Sequence, residues 1–146
     1  MAKTMITLQG PARAIASDAL LEMLAGEAQR LDQELTRADR ASHPKRARRA
    51  WRRIHRIGRL LQKIGWGQPL PTVSIRLDAG HELPLVIAAL REALQDATDI
   101  AKDARAHGGG AAAIRANARM HDTLETLIEI EVQGIQAQQT RRQQGA

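Results

Sequence analysis

One spacing, met twice along the chain, constrains the fold more than any other feature. Leu21, Leu24, Ala28, Leu31, Leu35 and Ala38 recur at intervals of three and four. So do Ala47, Ala50, Ile54, Ile57, Leu61 and Ile64. Such spacing sets the apolar residues on one stripe of an α-helix, the seam along which two helices pack lengthwise. Adding 66 to each position gives Ile87, Leu90, Leu94, Ala97, Ala101 and Ala104, then Ala113, Ala116, Met120, Thr123, Leu127 and Ile130. Any two helical hairpins with equal loops would match in spacing, so the polar matches matter more. Arg49-Ala50-x-x-Arg53-Ile54-His55 aligns with Arg115-Ala116-x-x-Arg119-Met120-His121. Ahead of each hairpin stands a short alternating segment, TMITLQ from Thr4 and TVSIRL from Thr72; if the first strand–helix linker is three residues longer, Ile6 matches Ile75 and Leu8 matches Leu77. Alternation of this kind marks a half-buried strand.

A strand followed by two helices, repeated, predicts a mainly α (α+β) protein. Four helices would form a bundle from two pseudo-symmetric strand–helix–helix repeats, with a short two-stranded ribbon. Local signals place the boundaries. Gly10-Pro11 ends the first strand, and a helix is expected from Pro11 or Ser17 to Asp39. Ser42 is a candidate N-cap and Pro44 suits the first turn of the next helix, which Gly65 stops. The segment GWGQPLP (65–71) reads as a stiff connector, and Gly108 to Gly110 as the turn between helices expected over 82–106 and 111–135. The expectation is one domain over 1–135, with repeats 4–65 and 72–135, and a disordered polar tail over 136–146.

Phe and Tyr are absent, so Leu, Ile, Ala and Val must fill the core, which suits close-packed helices. Cysteine is absent as well, excluding disulfides and thiolate metal sites. No apolar run approaches a membrane span, and MAKTMITLQG lacks the long apolar region of a secretory signal; the expected location is cytoplasmic. His43, His55, His81, His107 and His121 form no i, i+4 pair of ligand type, and no metal or other cofactor is expected.

Charge is polarised. Residues 1–70 carry 14 basic and 6 acidic side chains, whereas residues 71–146 carry 8 and 10. The surplus concentrates in Pro44–Ile64, which holds Lys45, Arg46, Arg48, Arg49, Arg52, Arg53, Arg56, Arg59 and Lys63 and no acid. Solvated helices ordinarily mix signs, and nine cations without an acid repel one another unless an anion is present. The leading reading is a non-enzymatic nucleic-acid-binding or nucleoprotein-accessory protein. Its contacts to phosphate would come from Arg46, Arg49, Arg52, Arg53, Arg56 and Arg59, supported by Arg115 and Arg119. With no Phe or Tyr for base stacking, duplex or structured nucleic acid fits better than a single strand. The alternative is a structural or adaptor protein that assembles with itself, as a homo-oligomer, or with an acidic protein.

Two resemblances add further readings. The paired Arg-x5-His spacing, Arg49 to His55 and Arg115 to His121, resembles the Arg/His signature of HEPN-type RNases. That resemblance implies arginines that hold phosphate and histidines in general acid–base work at a pseudo-symmetric cleft. The strand–helix–helix order resembles the topology of ribbon-helix-helix DNA-binding proteins, whose outward strand residues enter the major groove. Here those residues would be Thr7, Gln9, Ser74 and Arg76, although the first helix is far longer than in that family. Finally, Arg52, Arg56, Arg59 and Lys63 correspond to Ala118, Asp122, Glu125 and Glu129, which predicts an asymmetric molecule with the first hairpin engaging the anion.

Overall fold

The computed structural model describes residues 2–36, 44–68 and 71–145. Strand β1 (Lys3–Gln9) leads into α1 (Gly10–Thr36) and α2 (Pro44–Ile64). Strand β2 (Thr72–Asp78) leads into α3 (Glu82–Ala106) and α4 (Ala111–Gln144). The expected end of α1 at Asp39, the seam residue Ala38, the cap Ser42, His43 and residues 69–70 of the connector lie outside the described residues.

The strands pair antiparallel, with Ile6 opposite Ile75 and Thr4 opposite Leu77. Their alternation buries Thr4, Ile6, Leu8, Ile75 and Leu77 and turns Met5, Gln9, Ser74 and Arg76 to solvent. Behind this ribbon α1 packs along α2, α3 packs along α4, and α1 also contacts α3 and α4. Leu20, Leu60, Leu90 and Ile130 are fully enclosed where these elements meet. No described helix is long and apolar enough to cross a membrane.

On α2, α3 and α4 the expected seams face inward: Ala50, Ile57, Leu61, Ile64, Leu90, Ala97, Ala101, Thr123, Leu127 and Ile130 are buried. On α1 the seam is displaced. Ala12, Ala16, Ala19, Leu20 and Met23 are buried, Leu21 and Leu24 are half-buried against them, and Ala28 and Leu35 are exposed. A helix with several neighbours buries more than one stripe, and its small alanines admit the closest approach. The longer leucines then fill the margins.

The end of α2 is fastened by Arg13 of α1. Its buried guanidinium donates from Nε to the Ile64 carbonyl at 2.9 Å, and from Nη2 to the carbonyls of Gly65 and Gln68. Gly65 has φ 74°, a left-handed conformation that stops the helix, and Trp66 N–H donates back to the Leu61 carbonyl.

The tail corrects the expectation of disorder: α4 runs on to Gln144. Its last turns cover the outer edge of β1. Thr7 N–H donates to Gln133 Oε1 at 2.8 Å, and Gln133 Nε2 donates to the Thr7 carbonyl at 3.0 Å, so one side-chain amide takes the place of a neighbouring strand. Arg141 then donates to Thr4 Oγ1 at 3.0 Å. Arg141 thus ties the polar end of the helix to the strand.

Candidate nucleic-acid interface

On α2 the residues Lys45, Arg49, Arg52, Arg56, Arg59 and Lys63 follow one another at four and three, so they share a face beside the apolar one. The first turns of α3 lie across from the N-terminal part of this face. Between them runs a groove of about 720 Å³. One wall is Lys45, Arg48, Arg49, Arg52, Arg53 and Arg56; the other is Gly80, His81, Pro84, Leu85 and Ala88. No acid among the described residues lines it.

Acids from other elements do neutralise Arg53 and Lys63 of α2. Buried Glu27 of α1 holds Arg53 at 3.4 Å and Arg30 at 3.1 Å. Glu82 holds Lys63 at 2.7 Å. Burial pushes the Glu82 carboxyl up, but hydrogen bonds from Lys63 and from Asp78 N–H outweigh it and hold the group below its ordinary value. Asp78 is lowered as well, chiefly by the Gly80 N–H that donates to its carboxylate at 2.8 Å. That bond closes the turn that presents His81 to the groove. Lys45, Arg48, Arg49, Arg52, Arg56 and Arg59 form no ion pair with an acid among the described residues.

The expected contact residues therefore divide. Arg49, Arg52, Arg53 and Arg56 come together in the groove. Arg46 lies outside it, in a recess with Glu27, Arg30 and Glu34 that Arg49 and Arg53 also line. Arg59 is exposed beyond the groove. Arg115 and Arg119 lie apart, in a recess lined by Asp18, Glu22 and Asp122, where Arg119 pairs with Glu22 at 3.3 Å. Lys45, Arg48 and His81 complete the groove. Lys45 and Arg48 are visible as charge in the sequence, but His81 joins only because β2 returns the chain beside α2.

The Arg–His pairs do not converge. Arg49 lines the basic groove, while exposed His55 packs edge-on against Trp51 with ring centroids 4.6 Å apart. Arg115 lies in the acid-lined recess, and His121 is exposed. On the ribbon, Gln9, Ser74 and Arg76 point outward, and Thr7 Oγ1 and Ser74 Oγ share a hydrogen bond of 3.0 Å. No cluster of three or more metal-ligating side chains exists among the described residues. No family model, no curated protein and no solved structure matches this chain.

Proposed function

We propose that the protein is a non-enzymatic nucleic-acid-binding or nucleoprotein-accessory protein that seats a phosphate backbone in the groove between α2 and the start of α3. The observation that carries this reading is a concave surface lined, among the described residues, by six cations of α2 and no acid. Arginine forks suit phosphate oxygens, and Arg49, Arg52 and Arg56 stand in a row along α2 at about one per turn. Such a row follows a backbone without reading bases. Arg53, paired with Glu27, takes the structural share of this work, leaving Lys45, Arg48, Arg49, Arg52 and Arg56 to the ligand.

We infer further that the two halves descend from one duplicated unit. Burial supports this: Ser17, Ala19, Leu20 and Met23 of α1 recur, 66 residues on, as buried Leu83, Leu85, Val86 and Ala89 of α3. Ile57, Leu60, Leu61 and Ile64 likewise recur as Thr123, Thr126, Leu127 and Ile130. Ile6 and Ile75, equivalent in the repeat, stand directly opposite, as a two-fold axis through the ribbon requires.

Fluorescence anisotropy with labelled duplex DNA and duplex RNA tests the binding reading. Affinity should fall steeply with salt, and the slope of log K against log salt should drop by about one for each phosphate contact removed. Replacing Arg52 and Arg56 by Glu should abolish binding, whereas Arg115→Glu with Arg119→Glu should cost clearly less. Absence of binding to either duplex at low salt would overturn the proposal in favour of an acidic protein partner. Equal losses from both pairs would overturn the asymmetry and revive the paired-site RNase.

A further inference from the structure

Helix α4 has a second apolar stripe, on the side away from the core. Leu124, Ile128, Val132 and Ile135 leave 38%, 50%, 43% and 54% of their surface in water. They are spaced at four, four and three, so they align along one face of the helix. At the positions 66 residues before the first three stand Gly58, Gln62 and Trp66, so the stripe belongs to the second half alone. Four aliphatic side chains in one exposed row form a contiguous apolar strip, the kind of surface feature that often marks a contact site.

We propose that a second copy of this chain covers this face, α4 packing antiparallel on α4 of the partner about a two-fold axis. A closed contact of this kind must be complementary to itself, and the stripe meets that demand. Reversed against its own copy it sets Ile128 opposite Val132 and brings Leu124 to within one residue of the level of Ile135, so apolar side chains meet in the central layers. The flanks agree in polarity. Glu125 falls beside Gln136 of the other copy and Asn117 beside Arg142, so no like charges are opposed there. Glu131, which comes near its own copy at the axis, already has its charge met by Arg91 at 2.9 Å. The length suffices too: Asn117 to Arg142 spans about 38 Å of helix. Lengthwise packing over that distance removes on the order of 800 Å² per partner, the area of a standard stable interface. The basic groove lies along α2, in the other hairpin, so the dimer leaves it open.

Sedimentation velocity over a concentration series up to the high micromolar range reads the outcome. The wild-type chain should sediment as a dimer. Ile128→Glu combined with Val132→Glu should give a monomer with unchanged helix content, since both side chains are largely outside the core. Arg52→Glu with Arg56→Glu should remain dimeric. The chain has no cysteine, so orientation can be tested by cross-linking. Leu124→Cys mixed with Ile135→Cys should form a disulfide between the two variants in preference to either with itself. A wild-type monomer throughout, a dimer that survives the double Glu substitution, or preferential Leu124→Cys homodisulfide would each overturn the proposal.

Discussion

Arg13→Met is the most informative test of how the basic helix is held. The substitution keeps an unbranched apolar stem and removes the guanidinium that ties α1 to the carbonyls of Ile64, Gly65 and Gln68. Hydrogen bonds from a charged donor contribute about 1.5–3 kcal/mol each, and a buried acceptor left alone carries its own desolvation cost. Ile64 and Gly65 are buried, while Gln68 is exposed and its carbonyl can return to water. Two lost bonds therefore dominate, and a destabilisation of about 3–5 kcal/mol follows. Against a typical domain stability of about 5–15 kcal/mol this is a large fraction. Urea unfolding followed by circular dichroism measures it as a fall in the midpoint at constant slope. Arg13→Lys should recover only part of the loss, because a single ammonium cannot span the carbonyls as a planar fork does. A loss below about 1 kcal/mol for Arg13→Met would refute the clamp, since that is no more than one ordinary hydrogen bond.

Two further perturbations address the ribbon and the turn before α3. Gln133→Ala strips both partners from Thr7 and should cost about 1–3 kcal/mol, while Gln133→Glu, which accepts but cannot donate to the Thr7 carbonyl, should cost at least as much; thermal unfolding compares them. For Glu82 the folded carboxyl is lowered, so the unfolded chain binds the proton more strongly. Its contribution is present above the unfolded carboxylate range and is lost as pH falls through the lower folded value. Glu82→Gln should therefore flatten the acid limb of a stability–pH curve and leave its slope above neutral pH unchanged, as read from urea midpoints across pH.

Much of the architecture is legible in the sequence because periodicity reports burial directly. The seams on α2, α3 and α4 need only the spacing of Leu, Ile and Ala, and the strands only their alternation. Helix α1 departs from its apparent seam because its buried face is alanine-rich. Ala12, Ala16 and Ala19 carry little hydrophobic signal, whereas Ala28 and Leu35 keep the seam's spacing and yet are exposed. The extension of α4 is hidden for a related reason. Its last turns are stabilised by Gln133 and Arg141 reaching residues 126 and 137 positions earlier in the chain, and no local pattern encodes that. At the candidate site the charges are plain in the sequence, but their grouping is not. Which cations face the groove, which are met by Glu27 or Glu82, and the arrival of His81 all depend on packing between elements distant in sequence.

The amide of Gln133 against Thr7 also has a consequence for the order of events as the chain is made. Strand β1 leaves the ribosome before the other five elements, yet its strand partner is β2 and its other edge is completed only by α4. Until β2 emerges both edges of this short amphipathic strand are raw, and until Gln133 emerges one of them still is. Contacts of such long range close late and slow folding, because the intervening loop entropy must be met before they form. The first hairpin therefore emerges with an unsatisfied strand and a row of uncompensated arginines. A nascent chain stalled before Gln133 is the species most prone to cling to other strands and to the polyanions around it.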